Sequence, residues 1–217
     1  GLDNAGKTTL FRALSFDPDR HRPSGEAPTP TVGFNMDKCR VEGHDVVLWD
    51  IGGQERCRKM WGLYFRSNVD AVIFVVDGND RERLTSAARD EFMGVVNFET
   101  VTPLPTSSLR TGNAFDGALG SRILLLVNKA DVGGCATVEE VKALWQWDEM
   151  MAARATRAGQ LSGLALGACD VRNCSAKTFD GVAEAMVWLL SNAPPARPAA
   201  VESTATAWAE SAPAPPK

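Results

Sequence analysis

Gly1-Leu2-Asp3-Asn4-Ala5-Gly6-Lys7-Thr8 opens the chain and fits the pattern GxxxxGK[ST]. In such a loop successive backbone N–H groups wrap phosphate oxygens at the start of a helix, where the helix dipole also favours negative charge. Asp3, Asn4, Ala5 and Gly6, with Lys7, Thr8 and Thr9 beyond them, are therefore candidate phosphate-binding residues. Lys7 would bridge the β- and γ-phosphates, and the Thr8 hydroxyl would ligate Mg²⁺. Glycine is expected wherever a Cβ would collide with the phosphate. Taken alone the stretch has a competing reading, a glycine-rich turn in front of a helix.

Around this loop, short runs rich in Val, Ile and Leu alternate with segments of helical periodicity, which predicts a mostly parallel sheet with helices on both faces. A helix is expected over residues 7–14 and two hairpin strands over 36–41 and 45–49, joined by the three residues 42–44. Residues 71–76 and 123–127 read as buried central strands, and 81–96, 138–151 and 179–190 as helices. Residues 100–120, rich in Thr, Ser, Pro and Gly, read as an insertion loop. Residues 191–217, mostly Ala, Pro, Ser and Thr, read as a disordered tail after a domain spanning 1–190.

Three later stretches fall where a phosphate-binding sheet needs them. Trp49-Asp50-Ile51-Gly52-Gly53-Gln54 comes after a strand, so Asp50 lies at a carboxyl-terminal strand end, where it would hold Mg²⁺ through water. Gly53 would offer its N–H to the γ-phosphate, and Gln54 would orient the attacking water. Asn128-Lys129-Ala130-Asp131 closes the 123–127 strand. A carboxylate at Asp131 can accept both N1–H and N2–H of guanine, whereas adenine lacks that donor pair and would leave a buried charge unpaired. Finally, in Ser175-Ala176-Lys177 a backbone N–H near Ala176 could donate to guanine O6. Independent accidents would not fall in this order, so GTP or GDP with Mg²⁺ is the expected ligand set. A kinase using ATP would share the first motif and leave Asn128 to Asp131 unexplained.

Composition narrows the field. The 217 residues suit one well-buried domain with extras, and 23 basic against 27 acidic residues, net −4, give no field of one sign to draw nucleic acid. Five cysteines and two histidines, His21 and His44, without a CxxC pair supply neither a disulfide framework nor a zinc site, which suits a reducing, intracellular setting. The longest apolar runs are far short of the roughly 20 residues of a membrane helix. Because the chain opens at Gly1 inside its own motif, it reads as a piece of a longer protein, and no targeting signal can be read there. Asp80 to Arg83 reads as a solvated helix start.

GLDNAGKTT at Gly1, PTVGFNM at Pro30, LWDIGGQ at Leu48 and FVVDGNDRER at Phe74 resemble the ADP-ribosylation-factor (Arf and Arf-like) family of small GTPases, over residues 1–83 and more loosely over 123–190. The resemblance implies a Ras-like P-loop G domain, its first strand missing from this chain, acting as a GTP-binding switch with slow hydrolysis. It makes Thr31 a switch threonine that reaches Mg²⁺ only beside a γ-phosphate, and Phe34, Trp49 and Tyr64 an effector-facing aromatic triad, for which core packing is the alternative. The partners it implies are an exchange factor, a GTPase-activating protein, effectors and a peripheral membrane contact. The cytoplasmic face of a lysosomal or Golgi membrane, and a role in vesicle trafficking, are implied by the same likeness. Inserted residues in 17–28, 100–120 and between Asp131 and Ser175 mark a divergent member. A nucleotide-binding scaffold without significant turnover is the alternative function.

Overall fold

The computed structural model describes residues 1–15, 28–65, 69–101, 122–160 and 167–191. Residues 17–27 of the inserted segment before Thr31, with His21 among them, most of the 100–120 loop and the 192–217 stretch lie outside the described residues.

Helix α1 (Lys7–Leu14) continues the opening loop. Strands β1 (Phe34–Val41) and β2 (His44–Ile51) pair antiparallel. Short helices α2 (Glu55–Arg58) and α3 (Trp61–Phe65) lead to β3 (Ala71–Asp77). Helices α4 (Arg81–Thr85) and α5 (Ala87–Val101) precede β4 (Arg122–Asn128). Then come α6 (Val138–Trp145), α7 (Trp147–Gln160), β5 (Cys169–Asn173) and α8 (Val182–Ser191). Among the described residues β3, β4 and β5 form a parallel sheet with β4 in the middle, and β1 and β2 form a separate hairpin sheet.

Every residue of β4 is buried, which requires apolar side chains on both faces of the strand and explains its unbroken run Ile123 to Val127. Strand alternation divides the run: Ile123, Leu125 and Val127 join a core with Leu84, Phe92, Val141, Trp145 and Met150 of α4 to α7, while Leu124 and Leu126 join Leu10, Leu14, Val182 and Met186 of α1 and α8. Three layers result, helices over both faces of the sheet. Each such fully buried side chain contributes about 1.5–3 kcal/mol.

Four expectations are corrected. The hairpin turns on two residues, not three: Val41 pairs with His44, and Glu42 and Gly43 both have positive φ, 48° and 80°, the type I′ arrangement that matches strand twist. The 81–96 helix is interrupted at Ser86, where the Thr85 and Ser86 hydroxyls donate to the Glu82 carbonyl and compete with the helical ladder. The 138–151 helix breaks at Gln146, which is left-handed at φ 52°. Trp145 and Trp147, two apart, could not share a face of one continuous helix, and the break lets both pack on Phe92, at 5.3 and 5.7 Å. Helix α8 starts at Val182, after Phe179 and Gly181 at positive φ. Strand β5 carries no sequence signal because only Val171 of its five residues is buried.

Candidate functional site

The opening loop lies at the carboxyl ends of β3 and β4 and feeds α1, whose first residue comes directly after Gly6 in a left-handed conformation, φ 93°. A Cβ at Gly6 would lie 2.2 Å from Asn128 Nδ2, so in this structure the clash that demands glycine is with Asn128. Lys7 folds over the loop and donates from Nζ to the Leu2 carbonyl at 2.7 Å. Burial pushes the Lys7 ammonium below its ordinary value, and the carboxylates of Asp50 and Asp3 oppose that shift. Asp3 and Asn4 are exposed, Ala5 is buried, and Thr9 stands half-buried in the first turn of α1.

The structure brings Thr8, Thr31 and Asp50 together from three separate segments. Asp50 Oδ2 accepts from the Thr8 hydroxyl at 2.7 Å, the Thr31 hydroxyl at 3.1 Å and Asn35 Nδ2 at 3.2 Å, and the two threonine oxygens are 3.0 Å apart. Asp50 is 4% exposed, and its second oxygen, Oδ1, is buried without a hydrogen-bond partner. A buried carboxylate with one unpartnered oxygen needs a compensating cation or water. Hydroxyl and carboxylate oxygens are the hard donors that Mg²⁺ takes. The residues present therefore fit a Mg²⁺ ion.

Gly52 and Gly53 close the cradle. Gly52 N–H donates to the Gly33 carbonyl at 2.9 Å, which ties the Thr31 segment to the end of β2. A Cβ at Gly53 would come within 2.5 Å of Lys7 Nζ and 2.6 Å of the Asp3 nitrogen, so only glycine permits this approach. Gln54 begins α2 with its side-chain oxygen held by Arg56 Nε at 3.1 Å, turned to an exposed arginine.

At the end of β4, Asn128 is 2% exposed and uses both ends of its amide internally: Nδ2 donates to the Ala5 carbonyl and Oδ1 accepts the Ala176 N–H, each at 2.8 Å. It therefore staples the opening loop to the Ser175 loop. The Ala176 N–H, near which a donor to guanine O6 is expected, is thus held by Asn128 in this structure. Asp131 Oδ1 accepts from the buried Ser175 hydroxyl at 2.7 Å, while Lys177 Nζ, largely exposed, stands 4.0 Å from Oδ2. Lys129 Nζ meets Asp77 Oδ2 at 2.6 Å.

Several contributors lie outside the four nucleotide motifs. Asn35 reaches Asp50 because the hairpin register places them opposite each other. Asp80 to Arg83, expected to be a solvated helix start, does more: Asp80 caps α4, Arg83 Nε pairs with Asp80 at 2.6 Å, and Arg83 Nη1 reaches Asp3 Oδ1 at 3.4 Å. Hydrogen bonds from the Arg83 backbone and side chain hold the Asp80 carboxyl below its usual range. The aromatic triad is one cluster, Phe34 stacked on Trp49 at 5.1 Å with Tyr64 edge-on to both at 5.8 and 6.3 Å. Tyr64 is buried, and Phe34 and Trp49 are half-buried. His44 is exposed at the start of β2, and the five cysteines are free thiols.

A glycine-rich loop running into a helix, an acidic strand end beside it and Asn-Lys-Ala-Asp at the next strand end define a P-loop domain of the Ras-like small-GTPase class. The profile of the ADP-ribosylation factor family matches residues 1–193, and the chain belongs to that family, whose members bind guanine nucleotide. It is 30% identical over 191 residues to ADP-ribosylation factor-like protein 5A of Bos taurus, spanning 88% of this chain and 85% of that one. It is 33% identical over 198 residues to ADP-ribosylation factor-like protein 3 of Caenorhabditis elegans, spanning 90% and 86%. Among solved structures it resembles the Arl6 BBS3 small GTPase of Trypanosoma brucei with bound nucleotide analogue GppNp, at a TM-score of 0.62 and 26% identity, covering 88% of this chain and 92% of that one. Among the described residues no helix is long and apolar enough to cross a membrane.

Proposed function

We propose that this chain is a switch that holds GTP or GDP with Mg²⁺ and hydrolyses GTP slowly. The observation that carries the reading is the meeting of Thr8, Thr31 and Asp50 beside the opening loop, with the buried Asp50 Oδ1 unpartnered. Thr8, Thr31 and Asp50 would hold the ion, Asp50 through water, and the ion would neutralise charge developing between the β- and γ-phosphates. Asp3 to Gly6 and Gly53 would contribute loop amides, Lys7 its ammonium, and Thr9 the first turn of α1. Asp131 would accept from the guanine edge, supported by Asn128, Lys129 and the loop Ser175-Ala176-Lys177.

Gln54 would align the attacking water after leaving Arg56. Arg83, paired with Asp80 and Asp3, is occupied as an anchor of the opening loop, so this reading takes its transition-state arginine from an activating protein in trans. Such an arginine is worth about 10³–10⁵-fold in the class. Exchange factors, effectors at the Phe34, Trp49 and Tyr64 cluster, and a peripheral role at a lysosomal or Golgi membrane in trafficking complete the proposal, with the chain on the cytoplasmic side. The resemblance supports these partners and that location.

Binding of a fluorescent guanine nucleotide in magnesium buffer, with ATP as competitor, tests the core of this reading. The guanine nucleotide should resist an excess of ATP, and displacement by ATP would overturn it. In single-turnover hydrolysis, Gln54→Leu should bind as the wild type does and cut turnover by about 10-fold or more. The contact of Gln54 with Arg56 favours a second reading, a nucleotide-binding scaffold without significant turnover. Equal, barely detectable rates for wild type and Gln54→Leu would favour the scaffold.

A further inference from the structure

The exit of β3, Asp77-Gly78-Asn79, belongs to none of the nucleotide motifs, yet it is bonded to the loop assigned to the purine. Asp77 Oδ2 lies 2.6 Å from Lys129 Nζ, and Asp77 Oδ1 accepts the Asn79 N–H at 3.0 Å, so the carboxylate is aimed by its own turn. Asn79 Nδ2 donates to the Lys129 carbonyl at 3.1 Å, and Gly78 N–H donates to the Asn128 carbonyl at 3.0 Å. Lys129 itself sits at φ 71°, a left-handed conformation that strains a non-glycine residue and persists only where the surroundings over-determine it. The Asp77 and Lys129 side chains are only 12% and 29% exposed, so salt screens the pair less than a surface pair.

We propose that Asp77 and Asn79 are positioning residues for the Asn128 to Asp131 loop, and that they set how long a guanine nucleotide stays bound. The inference rests on the guanine-nucleotide reading given above. Ser175 and Ala176 hold this segment from one side, through Asp131 and Asn128. The β3 exit holds it from the other, at the strained Lys129. By fixing a four-carbon side chain before any ligand arrives, the ion pair removes an ordering cost that binding would otherwise carry. Loss of such preorganisation appears mainly in the dissociation rate.

The test is stopped-flow release of a fluorescent GDP from the full chain in magnesium buffer, with circular dichroism as the check on folding. Should wild type retain no nucleotide, the guanine reading falls and this inference with it. Given retention, Asp77→Asn should release nucleotide about 10- to 100-fold faster, by analogy with the range seen when the outer-shell partner of a metal-ligating side chain is lost. Asn79→Ala, which keeps the carboxylate, should give a smaller rise in the same direction. In a Lys129→Met background Asp77→Asn should add nothing, because Asp77 acts through that ammonium. Release at the wild-type rate by both single variants would overturn the proposal, as would an Asp77→Asn effect that persists undiminished beside Lys129→Met. If Asp77→Asn does not fold, Asn79→Ala and Asp77→Glu, with and without Lys129→Met, carry the same comparison.

Discussion

At the scale of single residues, the side chains named by motif do two different jobs. Thr8, Thr31 and Asp50 converge on one point, whereas Asn128 is sealed inside and joins two loops through its amide. That difference is a result of burial, since an amide 2% exposed must find partners within the protein. Cys174, beside Asn128 Oδ1 at 3.7 Å, obeys the same rule, and burial pushes its thiol up from 9.0 to about 12. Between pH 9 and about 12 the unfolded chain sheds the thiol proton that the folded chain keeps, so stability contributed by this group is complete below pH 9 and falls through that window. Urea titrations at rising pH should show a loss of stability that Cys174→Ala makes shallower. An equal slope in the variant would remove Cys174 from the account.

Among the elements, the hairpin carries the most direct consequence of local geometry. Glu42 occupies the first position of a type I′ turn at φ 48°, where a residue with a Cβ is strained and, among such residues, asparagine is tolerated best. Glu42→Asn should raise stability by about 0.5–1 kcal/mol in chemical denaturation, with no change in the register that sets Asn35 opposite Asp50. A destabilised variant would show that the Glu42 side chain matters more than its backbone. Helix breaks tell a similar story. Periodicity shows that 138–151 is helical in character and amphipathic, yet it cannot show that Gln146 turns left-handed so that two tryptophans meet one phenylalanine.

For the molecule as a whole, Phe92 is the joint between the central sheet and the α5 to α7 layer, with no exposed surface and with Phe74, Trp145 and Trp147 around it. Phe92→Ala should cost about 3–5 kcal/mol in urea unfolding, against under about 0.5 kcal/mol for a change at an exposed position such as Val187. The parallel sheet and its helical cover were legible in the sequence because β4 is apolar on both faces and the opening loop demands a helix directly after it. The order of the four expected nucleotide motifs was legible for a related reason, each pairing particular side chains with a glycine-rich turn, a strand end or a loop. What only the tertiary structure decided were contacts between segments distant in sequence: Asn35 on Asp50, Arg83 on Asp3, and Asp77 on Lys129. Strand β5, mostly polar, also needed its neighbour β4 to become visible. A single sequence records the local cost of each conformation and the periodicity of burial, but which distant groups share a buried charge is settled by the packing that removes them from water.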